Sequence, residues 1–173
     1  MNTKTQRIVF FVEVDERQIW YMKDCEIISV GRDADLLEEC LNVRRAVFQV
    51  EKGIPRDIDI DSHDCINDVC EHFLMRYDNK NVGTVRCKRD IEKREIRLQR
   101  FCVLSDYRKF GLGRKMLEFI EVYFKNKGFE WIRLDSKFAV HCFYEKSGYW
   151  VVSDVFMEAG VAHVKMEKRI NCC

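Results

Sequence analysis

The chain has 173 residues, enough for one domain with a sizeable core, because a domain of ~150 residues buries roughly 70% of its unfolded surface. A hydrophobic fraction of 47% and a charged fraction of 34% exclude a disordered or fibrous chain. With 30 basic and 29 acidic residues the net charge is +1, so no net field draws in nucleic acid or an anionic membrane.

No run approaches the ~20 apolar residues of a membrane span, and the N-terminus lacks the apolar stretch and cleavage site of a signal peptide. Nine cysteines, an odd number in a chain of this size, read as free thiols in a reducing cytosol, not as a disulfide scaffold. The expected location is cytoplasmic.

In chain order, residues 7–14 and 18–22 are rich in β-branched and aromatic side chains and flank Asp15-Glu16-Arg17. They read as a hairpin, with 25–30 as a further strand. Asp33 or Asp35 can cap a helix whose apolar stripe is Leu36, Leu37, Cys40, Leu41 and Val43. Residues 51–64 hold the only proline and the aspartates Asp57, Asp59, Asp61 and Asp64, and read as an ordered loop.

Strands follow at 71–77 and 81–89, turned at Asp78-Asn79-Lys80, and at 95–104. Residues 112–127 form the clearest helix, with Leu112, Met116, Ile120 and Tyr123 on one stripe and Gly128 as its stop. A strand at 131–136, a short helix at 139–147, and paired strands at 149–157 and 162–169 complete an α+β (mixed α/β) domain on one twisted sheet. Residues 1–24 are read as an N-terminal extension of the domain that spans 25–173.

The sharpest chemical signal is Arg108-Lys109-Phe110-Gly111-Leu112-Gly113-Arg114, between a strand and the strongest helix. Glycines let backbone approach a ligand, and a helix N-terminus presents unpaired N–H groups and a positive dipole end. Together with Arg108, Lys109 and Arg114 they make an anion site suited to a pyrophosphate. A tight strand-to-helix turn with exposed basic residues is the plainer alternative. Neither the Walker loop nor G-x-G-x-x-G is present, the latter failing at Met116.

RKFGLG, preceded by FCVLSDY and followed by FYEKSGY at 143–149, resembles the GNAT superfamily of acyl-CoA-dependent N-acyltransferases over roughly residues 26–169. A closer likeness is to a poorly characterised, mostly bacterial branch described as predicted acetyltransferases. It rests on Arg44-x-x-Val47-Phe48-x-x-Glu51-x-Gly53-Ile54-Pro55, on Asp59-x-Asp61-x-x-Asp64, and on Phe156-x-Glu158-Ala159-Gly160-Val161-x-His163-x-x-Met166. The resemblance implies one mixed sheet of about six to seven strands with about four helices, carrying the N-terminal hairpin as an addition. The hairpin could cover a sheet edge or make a homodimer contact.

The resemblance also implies acetyl-CoA as co-substrate, held by Phe101, Cys102 and Val103, by residues 108–114 including Phe110 and Leu112, and by Phe143. Tyr144 is the expected acid toward the CoA thiolate. A phenol pKa near about 10 lies above that of an alkyl thiol, so a hydrogen bond to the developing thiolate is the firmer expectation. Many family members carry a glutamate on the strand before the glycine loop, where this chain has Arg97, Gln99 and Arg100. Glu51 or His163 is the expected replacement base, and a water chain is the alternative.

Arg44, Glu51 and Asp61 are expected on the acceptor side, where the aspartates would attract a cationic amine; a solvated turn-rich loop is the competing reading. The acceptor is an amine of unspecified class, small molecule or peptide, and no metal is expected. His63, Cys65, Cys70 and His72 offer zinc-type ligands at a spacing that fits no zinc motif. His141 and Cys142, adjacent on a helix, are expected to point about 100° apart and to form no dyad, which favours direct transfer in a ternary complex. A catalytically weak acyl-CoA-binding or interaction protein is the alternative reading. Cys172 and Cys173 read as an oxidation-prone tail.

Overall fold

The computed structural model describes residues 10–14, 17–22 and 25–171. The strands β1 (Phe10–Val14), β2 (Arg17–Met22) and β3 (Cys25–Ser29) form an antiparallel meander, with Val14 paired to Arg17 and Met22 to Cys25. The expected hairpin is therefore present in its pairing; its turn at residues 15–16, its first residues 7–9, and the Cys172-Cys173 tail lie outside the described residues.

Helix α1 (Ala34–Arg44) starts at Asp33, whose carboxylate accepts from the backbone N–H of Asp35 and Leu36 at 3.0 Å each. Of the two expected caps, Asp33 is the one used. The helix does not stop at Val43 but runs on as a π-helical segment over Arg45–Glu51. The expected loop 51–64 contains a further short helix, α2 (Arg56–Asp59), with Pro55 just before its first turn.

Strands β4 (Cys70–Tyr77), β5 (Lys80–Asp90) and β6 (Glu95–Val103) follow as an antiparallel meander. The β4–β5 turn takes two residues, Asp78 and Asn79, with φ of 51° and 56°. That is the type I′ geometry whose twist matches the strands. A 3₁₀ turn over Ser105–Phe110 leads into α3 (Leu112–Asn126), and Gly128 closes that helix as expected. Strand β7 (Trp131–Lys137) lies parallel to β6 in the only parallel pairing among the described residues.

The expected helix at 139–147 is a 3₁₀ turn over Phe138–Val140 followed by a short α4 (His141–Glu145). The expected strand at 149–157 is two strands, β8 (Trp150–Val151) and β9 (Phe156–Glu158), both paired with β10 (Val161–Arg169). The interruption has a local cause. The Ser153 hydroxyl accepts the Lys165 N–H at 2.8 Å, taking the place of a strand carbonyl, and the chain bows out between the two pairings.

The sheet order is β1-β2-β3-β4-β5-β6-β7-β10-β8, with β9 also on β10. Both faces are covered at β4. Phe73 and Met75 join the core built on α3, while Leu74 joins the core built on α1. On the α3 side Phe73 meets Phe119, Tyr123 and Phe124 edge-on at centroid distances of 5.4, 5.0 and 6.0 Å. The fully buried stripe Leu112, Met116, Leu117, Ile120 and Phe124 holds α3 on the sheet, each side chain contributing about 1.5–3 kcal/mol.

Candidate active site

Strands β6 and β7 pair only through Glu95–Trp131, Ile96–Ile132 and Arg97–Arg133. Beyond Arg97 they separate, and the edge of β6 that faces β7 has no strand partner among the described residues. A β-bulge sits in the same stretch of β6. Thr84 pairs with Cys102 and Arg86 with Gln99, so Val85 alone opposes Arg100 and Phe101. Arg100 has φ of 50°, an uncommon conformation for a long side chain. A cleft of about 310 Å³ opens at the split, lined by Arg97–Phe101 from β6 and Leu134–Lys137 from β7. Lys52, Ile54, Ile58 and Asp59 form its outer wall, and Val140, Tyr144, Glu158 and His163 complete it.

The glycine loop lies beside this cleft. Gly111 has φ of 71°, and nothing stands within 4 Å of where a Cβ would be, so the residue is chosen for backbone conformation. Gly113 is chosen for space: a Cβ there would lie 3.2 Å from Phe143 Cζ and 3.7 Å from a Phe101 ring carbon. The two motifs distant in sequence thus meet at one point. Phe101, Phe143 and Tyr144 form a small aromatic group, with Phe143 and Tyr144 centroids 5.0 Å apart and Phe101 about equally distant from both at 6.0 and 6.3 Å.

Other expected cofactor contacts divide into side chain and backbone. Leu112 and Cys102 are core side chains, on the α3 and α1 sides of the sheet, so only their backbone is free to meet a ligand. Burial pushes the Cys102 thiol up to about 12. Phe110 is exposed and stacks on Tyr77 at 5.7 Å. Arg108 donates from Nε to the Val103 carbonyl at 2.9 Å and grips Glu51 with two bonds of 2.8 and 2.6 Å. Arg114 pairs with Glu118 at 3.1 Å, and the Lys109 ammonium lies 5.8 Å from the Phe110 ring.

Tyr144 is buried at the cleft wall, and burial holds its phenol well above the ordinary value. His163 also lines the cleft. Its Nδ1 is 2.8 Å from the Val161 carbonyl, which assigns the proton to Nδ1 and leaves the Nε2 lone pair available, 4.0 Å from Glu158. Glu51 stands elsewhere. It lies outside the cleft lining, and the hydrogen bond from Arg108 holds its carboxyl below the usual range.

The expected acceptor contacts Arg44 and Asp61 have a different place. Arg44 is 1% exposed and donates to Asp59 from Nε at 3.1 Å and to both Asp64 oxygens at 2.5 and 3.0 Å. Asp61 takes a two-pronged grip from Arg86 at 2.7 Å on each oxygen, and Arg100 reaches it at 3.1 Å. Three arginines and three aspartates therefore cancel. The aspartates form neither a solvated loop nor a lure for a cation, because their charge is already spent on buried guanidinium groups. They fasten residues 54–64 to α1 and to the bulge, and so hold the cleft wall at Ile58 and Asp59.

With those aspartates neutralised, Lys52 and Lys137 stand out. Neither ammonium group has a carboxylate partner among the described residues. Burial, with the nearby Lys137 and Arg108 charges, pulls the Lys52 pKa down. No sequence motif marks these two lysines; only the fold brings residues 52 and 137 to one cleft.

The expectation that His141 and Cys142 diverge is not met. Cys142 Sγ lies 3.6 Å from His141 Nε2, because the bond of His141 Nδ1 to the Phe138 carbonyl and the stacking on the Phe138 ring turn the imidazole that way. Neither residue lines the cleft.

Residues 63–170 match the family described as acetyltransferase (GNAT) domain. The uncharacterized protein YyaT of Bacillus subtilis (strain 168) is 37% identical over 145 residues, covering 84% of this chain and 96% of its own. The crystal structure of Escherichia coli ElaA superposes with a TM-score of 0.71 at 24% identity, covering 83% of this chain and 99% of that one. An aminoglycoside 6'-N-acetyltransferase complexed with coenzyme A superposes with a TM-score of 0.67 at 16% identity, covering 84% and 98%. The last two show likeness of fold. Split strands, bulge, glycine loop and family match point the same way, and the chain belongs to the GNAT acetyltransferase family.

Proposed function

We propose that the protein transfers an acetyl group from acetyl-CoA directly to an amine bound in the cleft between β6 and β7. The observation that carries this reading is the parting of the two strands after Arg97, beside a helix whose N-terminus is opened by Gly111 and Gly113. An extended pantetheine arm needs a strand edge with free backbone groups, and a pyrophosphate needs backbone N–H groups and a positive dipole end. The edge of β6 beyond Arg97 and the start of α3 supply both.

In this reading backbone N–H groups around the bulge stabilise the oxyanion that forms when the amine attacks the thioester carbon. The C–N bond forms, the C–S bond breaks, and His163 Nε2 takes a proton from the amine. His163 is preferred to Glu51 because it faces the cleft with a free lone pair, and Glu158 stands close enough to steady the imidazolium. Tyr144, kept protonated by burial, donates a hydrogen bond to the leaving thiolate. Cys142 lies outside the cleft lining, which favours direct transfer over an acetyl-cysteine route.

The lining also informs the acceptor. Lys52 and Lys137 offer positive charge, and Glu158 with His163 offers a place for an amine. That polarity suits an amine that also carries an anionic group, such as an amino acid, better than a polycation.

The test is thermal unfolding with acetyl-CoA, with ATP as control, followed by mass analysis of amine products. A ligand bound only to the native state adds about 2.7 kcal/mol at a hundredfold excess over Kd. A rise with acetyl-CoA and not with ATP, and acetylation of amino acids ahead of polyamines, is the expected result. No rise at millimolar acetyl-CoA overturns the proposal.

A further inference from the structure

Helix α4 carries side chains outside the cleft lining whose chemistry acyl transfer does not use. His141, Cys142 and Glu145 each offer one ligand atom, and the three atoms lie within 4.8 Å of one another. Cys142 Sγ is 3.6 Å and Glu145 Oε2 3.8 Å from His141 Nε2. A tetrahedral ion with a metal–sulfur bond of about 2.3 Å and a metal–nitrogen bond of about 2.0–2.1 Å holds those two ligands about 3.5 Å apart. The sulfur and nitrogen already stand at that separation, and a rotation of the exposed Glu145 side chain that carries its carboxylate about 1 Å toward the sulfur completes the trio.

The imidazole is held in the orientation a metal needs. Its Nδ1 is 2.5 Å from the Phe138 carbonyl oxygen, so Nδ1 carries the proton and Nε2 presents its lone pair to the thiol and the carboxylate. An outer hydrogen bond from the second ring nitrogen to a backbone carbonyl is the usual way a metal-bound histidine is oriented. The Phe138 ring stacks on the imidazole with centroids 4.8 Å apart and planes 16° from parallel, which further restricts rotation. Cys142 and Glu145 are exposed, so an ion reaches the trio without any opening of the fold.

We propose that His141, Cys142 and Glu145 form a three-ligand site for a thiophilic divalent ion, zinc being the best fit, with a fourth position left to solvent. Thiolate and carboxylate together carry two negative charges and balance the ion. Thiolate and imidazole favour zinc or cobalt over magnesium or calcium, which take oxygen ligands. Binding replaces the thiol proton with the metal–sulfur bond and releases that proton to solvent. The ion would tie the first residues of α4 to its last, on the turn that also carries Tyr144. The site does not depend on acyl transfer, and its test does not use it.

Cobalt(II) is the probe, titrated into the reduced, metal-free full chain and followed by absorbance. One equivalent should bind with a near-ultraviolet thiolate-to-cobalt band and the visible bands of a tetrahedral ion, and zinc should displace it. Cys142→Ser should remove the thiolate band. His141→Ala and Glu145→Gln should each weaken binding by about tenfold or more. Cys65→Ser, which changes the other exposed thiol among the described residues, should leave the spectrum unchanged, as should the double change Cys172→Ser with Cys173→Ser. Zinc should also slow alkylation of Cys142, mapped by mass. Cys65, Cys142 and Glu145 are exposed and His141 is partly so, and circular dichroism checks that each variant is folded. Absence of a thiolate band, or a band that survives Cys142→Ser, overturns the proposal.

Discussion

Tyr144 on α4 and His163 on β10 both line the cleft, and each has one property suited to its proposed role. Burial raises the Tyr144 phenol, so the group stays a donor throughout the working pH range and does not become a charge beside the leaving thiolate. For Tyr144→Phe we expect kcat to fall about 10²-fold while acetyl-CoA affinity stays near normal, measured by steady-state kinetics and by the thermal shift. An unchanged kcat removes Tyr144 from the reaction. The sequence offers both as candidates, Tyr144 through its motif and His163 as one of two possible bases. The reason to prefer His163 in the proposal is not legible there, because the grip of Arg108 on Glu51 joins residues far apart in the chain.

At the scale of elements, the start of α3 and the arginine–aspartate group do different work, and mutation should separate them. Gly111 has open space but a left-handed backbone, so Gly111→Asp should cost about 1–2 kcal/mol and lower Tm by only a few degrees. The same change places a carboxylate where the pyrophosphate is proposed to sit, and acetyl-CoA binding should be lost. Unchanged affinity sinks that assignment.

Asp64 belongs to the arginine–aspartate group and not to the cleft lining. Its side chain is 0% exposed and faces Arg44 and Arg86 at 2.5 and 2.7 Å. Asp64→Asn leaves buried guanidinium charge uncompensated and should destabilise by about 3–5 kcal/mol, read from denaturant unfolding. Asp57→Asn, an exposed member of the same run of aspartates, should change little. Equal effects at the two positions would refute the division.

For the whole molecule, the same group sets the acid limit of the fold. The hydrogen bond and charge of Arg86 hold the Asp61 carboxyl far below the usual range. Burial works against the Asp64 carboxylate, but Arg44 and Arg86 outweigh it, and that carboxyl is also lowered. Carboxyls depressed in the folded state contribute stability above the unfolded value of about 4 and lose it as pH falls further. Tm should therefore decline as pH drops below about 4, and the decline should be shallower in Asp64→Asn. A wild-type Tm that is level down to pH 3 contradicts this account.

Local pattern determined much of this protein by itself. The order of the main strands and helices, a cap at Asp33 or Asp35, the stop at Gly128, the turn at Asp78-Asn79-Lys80 and the glycine loop all depend on residues close in sequence, where propensity and turn chemistry act directly. The resemblance of two short motifs then pointed to the family. Tertiary structure alone decided the bulge at Arg100, the pairing of aspartates with Arg44, Arg86 and Arg100, and the meeting of Lys52 with Lys137. The reason is physical. A buried charge is stable only beside its counter-charge, and which partner it finds depends on how the sheet brings distant segments together.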